Sequence, residues 1–190
     1  MIIFVRHGHA EHNDNKELVH GVVRESKLTP KGQAQSKQVA TILKEYDIKK
    51  IVCSPTVRTR HTAKIIADGI DGTVIEDERL IELSHGDWQG LLRSDVFTPE
   101  RQARFETEGY TMRAPGGESF KDVEERMLEW LDEQTEDVIA VTHAGAMRCI
   151  LRGILDTPVQ RIFSMQIDNC GIVRVDKREG VWKIIFDRTS

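Results

Sequence analysis

Three short apolar runs constrain this chain more than any other feature. Ile2 to Val5, Ile51 to Cys53 and Val138 to Thr142 are continuous and rich in β-branched residues. Runs of that kind fill strands covered on both faces, as in a parallel sheet. Helix-period stripes lie between and after them. Val39, Ile42, Leu43 and Tyr46 make one, and Ala63, Ile66, Ala67 and Ile70 a second. Phe120, Val123, Met127, Trp130 and Leu131 make a third, with Ser119 placed to cap it, and Met147, Ile150, Leu151 and Ile154 a fourth. Strand alternating with helix predicts an α/β fold, a three-layer sandwich whose mostly parallel central sheet is flanked by helices. The 190 residues fit one domain spanning 1–190. Near the end, Gly171 to Val175 and Val181 to Phe186 flank a Lys-Arg-Glu-Gly turn and predict a hairpin. Residues 93–117 are polar and end in Ala-Pro-Gly-Gly, which predicts a short helical insertion over the edge of the sheet and its active site.

The unusual polar residues fall just beyond the apolar runs. Arg6-His7-Gly8 follows the first, Ser54-Pro55-Thr56-Val57-Arg58 the second, and Thr142-His143-Ala144-Gly145 closes the third and opens a helix. Ligands of an open α/β sheet bind beyond the carboxyl ends of its strands. Two histidines and two arginines should therefore meet there, beside helix N-termini that favour anions. Such a cluster is self-repelling unless an anion neutralises it, and guanidinium matches phosphate through paired, charge-assisted hydrogen bonds.

Composition narrows the partners. A net charge of -4 argues against nucleic acid or an anionic membrane. No apolar run approaches the roughly 20 residues of a membrane span, and the opening Met-Ile-Ile-Phe-Val is too short for a signal sequence. Cys53, Cys149 and Cys170 are odd in number and widely spaced, as expected of reduced core thiols in a cytoplasmic protein. No His or Cys spacing builds a metal site, so neither metal nor cofactor is expected. The assembly is left open, a homodimer included.

With these residues the chain resembles the histidine phosphatase superfamily, the phosphoglycerate-mutase-like fold. Arg6-His7-Gly8 is followed five residues on by Asn13. Leu28-Thr29-Pro30-Lys31-Gly32 is similar to the family's L-T-x-x-G helix start. Ser54-Pro55 with Arg58, Thr62 and Ala63 resembles S-P-x-x-R-x-x-x-T-A, and Leu80, Glu82, Gly86, Trp88 and Gly90 resemble L-x-E-x-x-x-G-x-W-x-G. Pro115-Gly116-Gly117-Glu118-Ser119 and Val141-Thr142-His143-Ala144-Gly145 complete six motifs in order. The resemblance implies that His7 is the nucleophile and that Arg6, Arg58 and His143 hold the phosphoryl oxygens. Asn13, Gly21 and Ala144 are implied as further phosphate contacts. Glu82 would protonate the leaving oxygen and then activate water. Positioning and charge neutralisation dominate phosphoryl transfer, and arginines supply both without Mg²⁺.

Two places depart from the family pattern. His9 and Ala10 stand where an acidic or amide residue and a hydroxyl are usual, and Val22, Val23, Arg24 and Glu25 follow Gly21 without the usual aspartate. Mutases of the superfamily usually carry a longer insertion and a Tyr after the acid. His85-Gly86-Asp87-Trp88-Gln89-Gly90 looks more like the phosphatase branch. The expected activity is hydrolysis of a small phosphorylated metabolite; mutase activity and a non-catalytic phospholigand module are the alternatives. Retention of His7, Glu82 and His143 together argues against a mere binder. Specificity is expected in the insertion, from Phe97, Phe105, Tyr110 and Arg113.

Overall fold

The computed structural model describes residues 1–185, the side chains of Phe105, Glu106 and Phe163 excepted. β1 (Ile2–Arg6) has no polar residue before its last position, which lets it run inside the sheet. Ile2 and Phe4 point to one face and Ile3 and Val5 to the other, all four fully buried. The remaining strands are β2 (Lys50–Cys53), β3 (Thr73–Glu76), β4 (Val138–Thr142), β5 (Ile172–Arg178) and β6 (Val181–Ile185). Among the described residues they form one sheet in the order β3-β2-β4-β1-β5-β6. β1 to β4 are parallel, and the β5–β6 hairpin closes one side antiparallel.

Helices cover both faces. α1 (Pro30–Leu43) and α2 (Val57–Ile70) bury Val39, Leu43, Ala63 and Ile66 against Ile3, Val5 and Ile139. α3 (Arg93–Val96) and α4 (Pro99–Glu108) belong to the insertion. α5 (Phe120–Asp132) and α6 (Ala144–Leu155) bury Met127, Trp130, Met147 and Ile150 against Ile2, Phe4 and Ala140. Ser119 does cap α5: its hydroxyl accepts from Asp122 N at 3.2 Å while the Asp122 carboxylate accepts from Ser119 N at 2.7 Å. All three cysteines are buried and free.

Several expectations need adjusting. Tyr46 falls beyond α1, in a 3₁₀ turn over Lys44–Tyr46. β3 was not foreseen, because an exposed edge strand of Thr-Val-Ile-Glu carries no buried face to mark it. Phe186, the expected end of the hairpin, lies outside the described residues. The insertion stands over a cavity beside Glu82. Its Tyr110 hydroxyl donates to Glu124 at 2.6 Å, and Arg152 forks onto the same carboxylate while stacking 4.7 Å from the Tyr110 ring.

The register fixes the site. Arg6 pairs with Thr142 and Cys53 with Val141, so β1, β4 and β2 end side by side. His7 N donates to Thr142 O and Ser54 N to Val141 O, each at 3.0 Å, carrying the ladder one residue past the strands. Any side chain placed just after these three strands must face its neighbours at roughly the 4.8 Å strand spacing.

Candidate active site

The His7 and His143 rings meet edge to face with centroids 5.3 Å apart. His7 is 2% exposed and His143 wholly buried. His7 Nδ1 lies 2.7 Å from the carbonyl of its neighbour Gly8. A carbonyl only accepts, which assigns the proton to Nδ1 and leaves Nε2 with a free lone pair. Gly8 is itself pinned, its N donating to Thr62 Oγ1 at 3.1 Å, while Thr62 Oγ1 donates to Arg58 O at 2.8 Å.

Burial, then Arg58 and Arg6, hold His7 well below its ordinary pKa. Burial, then Arg58 and His7, do the same to His143. Both rings are therefore neutral at pH 7. Arg58, only 1% exposed, is drawn down to about 10, by burial first and Arg6 among the rest, and keeps its charge at neutral pH. Arg6 is lowered by burial and supported by the Glu82 charge.

The donors are not all aimed as the sequence suggested. Arg58 Nη2 lies 3.0 Å from His143 Nδ1, and its Nη1 donates to Val23 O. Guanidinium cannot accept, so His143 Nδ1 is the acceptor and its protonated Nε2 donates to Ser54 Oγ at 2.8 Å. Arg58 and His143 thus bond each other, because buried donors take the nearest acceptors. Arg6 Nη1 donates to Ile167 O at 2.8 Å. Among the described residues, the Nε atoms of Arg6 and Arg58 are buried without a partner. Both arginine charges act on the His7 ring, a setting that suits an anion.

Glu82 comes from the loop before α3 and sits on the N-terminus of α6. Its Oε1 accepts from Leu83 N and Ala146 N at 2.9 Å each, and its Oε2 from Gly145 N at 3.0 Å. A Cβ at position 145 would stand 2.3 Å from Glu82 Oε1, so the carboxyl reaches this helix only because residue 145 is glycine. Arg126 fixes the loop from behind, donating to Glu82 O at 3.4 Å while pairing with Glu118 at 2.8 Å. Ala144 lines the adjoining cavity. Gly21 lies in the same wall at φ 50°, where a Cβ would meet Leu83 O at 2.8 Å, so it shapes the cavity through close backbone packing.

Sequence reasoning missed His12, which its neighbourhood in the chain does not single out. Its ring centroid lies 5.5 Å from that of His7. Its Nδ1 is 2.8 Å from Ser26 Oγ and its Nε2 3.1 Å from Asn13 Nδ2, the amide donating. Partial burial, then Arg58 and His20, pull His12 down to about 3. Asn13 Oδ1 in turn accepts from Ala10 N at 2.9 Å and from Asn169 Nδ2 at 3.3 Å, and Asn169 also donates to His7 O at 3.2 Å. Asn13 therefore joins the loop after β1 to the segment before β5. His9 bonds Thr29 at 3.0 Å and lies 3.5 Å from Asp14, a packing role.

The cavity beside Glu82 has a volume of about 610 Å³ and is walled in part by Leu83, His85, Trp88, Phe97 and Phe120. Arg6, His7, Arg58 and His143 are not among the residues that wall it. Of the insertion residues expected to recognise substrate, Phe97 lines this cavity. Tyr110 instead anchors the insertion to Glu124, Arg113 pairs with Asp122, and the Phe105 side chain lies outside the described residues.

The profile of the histidine phosphatase superfamily (branch 1) matches residues 2–186. A Shigella boydii relative, "Probable phosphoglycerate mutase GpmB", is 33% identical over 95% of this chain and 86% of its own length. A solved mycobacterial glucosyl-3-phosphoglycerate phosphatase complexed with VO3 is 25% identical, with a TM-score of 0.82 over 100% of this chain and 98% of that one. The alpha-ribazole phosphatase from Shigella flexneri shares the fold at 18% identity, with a TM-score of 0.82 over 97% of this chain and 94% of that one.

The buried histidines have a consequence for stability. Unfolded, His7 and His143 take up protons below their ordinary value of 6.5; folded, they stay neutral. The folded state then binds fewer protons, so stability is present above that pH and is lost as pH falls. Each histidine should contribute a slope of about 1.4 kcal/mol per pH unit. Urea unfolding at about pH 7.5 and about pH 5.5 checks this, and a flat free energy across that interval would contradict it.

Proposed function

Because this chain belongs to the histidine phosphatase superfamily (branch 1), we propose that it is a phosphatase that hydrolyses a small phosphorylated metabolite through a phosphohistidine on His7. The observation that carries the reading is the His7 tautomer, with Nδ1 held by Gly8 O and Nε2 left as a neutral nucleophile between two arginine charges. In the first step Glu82 enters with a proton taken up from solvent; Nε2 attacks phosphorus, the ester P–O bond breaks, and the leaving oxygen takes that proton. In the second, Glu82 removes a proton from water, whose oxygen attacks phosphorus and releases phosphate and free His7. Arg6 and Arg58 offset the phosphoryl charge, the task a metal ion performs in other phosphatases, so no metal is required. The buried, free thiols suit a reducing, cytoplasmic setting.

p-Nitrophenyl phosphate should be turned over in EDTA, inhibited by vanadate, and left untouched by His7→Ala. Activity lost to chelation and restored by Mg²⁺ would overturn the mechanism.

Glu82→Gln separates the two roles of the carboxyl. An alkyl phosphate, which needs its leaving oxygen protonated, should lose about 10²–10⁴-fold. An aryl phosphate should still phosphorylate His7 and show a burst of nitrophenol, because water attack has lost its base. Equal losses on both esters without a burst would make Glu82 structural.

The name of the Shigella boydii relative favours a second reading, transfer of the phosphoryl group back to phosphoglycerate. Interconversion of 2- and 3-phosphoglycerate, primed with bisphosphoglycerate, should be negligible beside hydrolysis. Efficient interconversion would put the mutase first.

A further inference from the structure

His12 stands beside His7, yet the two-step reaction gives it no task. Its ring packs against those of both His7 and His20, with centroids 5.5 and 5.2 Å away. Its hydrogen bonds give it a more specific part than packing, and their polarity is fixed from one end. A carbonyl only accepts, so Asn169 must present Nδ2, at 3.2 Å, to His7 O. The same Nδ2 lies 3.3 Å from Asn13 Oδ1, and Ala10 N, which only donates, reaches that oxygen at 2.9 Å. Asn13 therefore turns Nδ2 toward His12 Nε2, 3.1 Å away, and that ring nitrogen must accept. The ring proton is then on Nδ1, which donates to Ser26 Oγ at 2.8 Å. Burial, then Arg58 and His20, pull His12 down to about 3, so the accepting lone pair is present at neutral pH. One run of hydrogen bonds thus leads from the main chain of His7 through Asn169, Asn13 and His12 to Ser26.

The ring is not what holds this turn together. Asn13 N donates to Ala10 O at 2.8 Å and Glu11 N to Lys27 O at 3.0 Å, while Lys27 N donates to the Glu11 carboxylate at 3.1 Å. Those bonds do not involve the His12 side chain. What the ring adds is an acceptor for one Asn13 N–H. The second Nδ2 hydrogen has no partner among the described residues. The amide is planar, so holding its oxygen and one hydrogen fixes the direction of the other hydrogen. Held at the oxygen alone, the group has two donors competing for any acceptor nearby.

Taking the phosphatase reading as its premise, we propose that His12 is a positioning residue for phosphoryl transfer: by accepting from Asn13, it aims the second Asn13 N–H at the phosphoryl group carried by His7. His12 itself touches neither the substrate nor the reacting atoms and works through Asn13 alone.

A double-mutant cycle isolates that coupling. His12→Phe keeps a ring and removes the acceptor, and Asn13→Ala removes the amide. Vanadate affinity by calorimetry and kcat/KM for p-nitrophenyl phosphate are measured for each variant and for the pair. His12→Phe should weaken both by about three- to tenfold, the net worth of one hydrogen bond. Once Asn13 is alanine, the same change should cost nothing further, within about twofold. His12→Gln, whose side-chain oxygen can accept, should regain part of the loss. If His12→Phe does not fold, Ser26→Ala, which frees the ring from its other partner, takes its place in the cycle. A loss that persists without the Asn13 amide, no loss at all, or no recovery with glutamine would overturn the inference, as would failure of the unaltered protein to bind vanadate. If vanadate binds but p-nitrophenyl phosphate is not hydrolysed, the phosphatase reading fails, and the vanadate cycle still decides the part played by His12.

Discussion

The parallel ladder between β1 and β4 is the constraint on which the rest depends. It sets Arg6 opposite Thr142 and continues through His7 N to Thr142 O at 3.0 Å, so the first residues after the two strands are neighbours by construction. β2 joins the other side of β4 in register, which delivers Ser54 and, a turn into α2, Arg58 to the same edge. Side chains more than 130 positions apart in sequence are thereby brought together by backbone hydrogen bonds alone. A one-residue slip would turn every core side chain of β1 to the opposite face, so burial enforces the register that aligns the site.

Burying this much charge is costly unless every group is held. The structure manages it by linking the cationic side chains to carbonyls and imidazoles and by keeping the histidines neutral. Arg58 bonds His143, His143 bonds Ser54, and His7 bonds Gly8 O. The same arrangement is chemically productive, since a neutral imidazole with its proton on Nδ1 has its other nitrogen ready to attack. Electrostatics therefore sets both the neutral state of His7 and the direction in which pH should act on the fold.

Glu82 and the insertion frame the cavity beside the site. The carboxyl depends on a glycine at 145 and on Arg126 behind its loop. The insertion depends on the contact between Tyr110, Glu124 and Arg152, which ties it to α5 and α6. Anchoring at that end leaves the cavity face preformed.

The sequence by itself determined the layered α/β fold, because continuous apolar strands need helices on both faces and the helical stripes supply them. It also determined where His7, Arg58 and His143 would gather, since residues after parallel strands share one edge. The edge strand Thr73–Glu76 was illegible for the opposite reason, having no buried face to leave a pattern. Only the tertiary structure decided how the donors are shared. Hydrogen-bond partners depend on angstrom-scale approach, and nothing in the spacing says that Arg58 would bond His143 or that His12 would orient Asn13. Tyr110 and Arg113 read as substrate contacts in the chain but anchor the insertion in the fold, because their partners, Glu124 and Asp122, lie on a helix that only packing brings near.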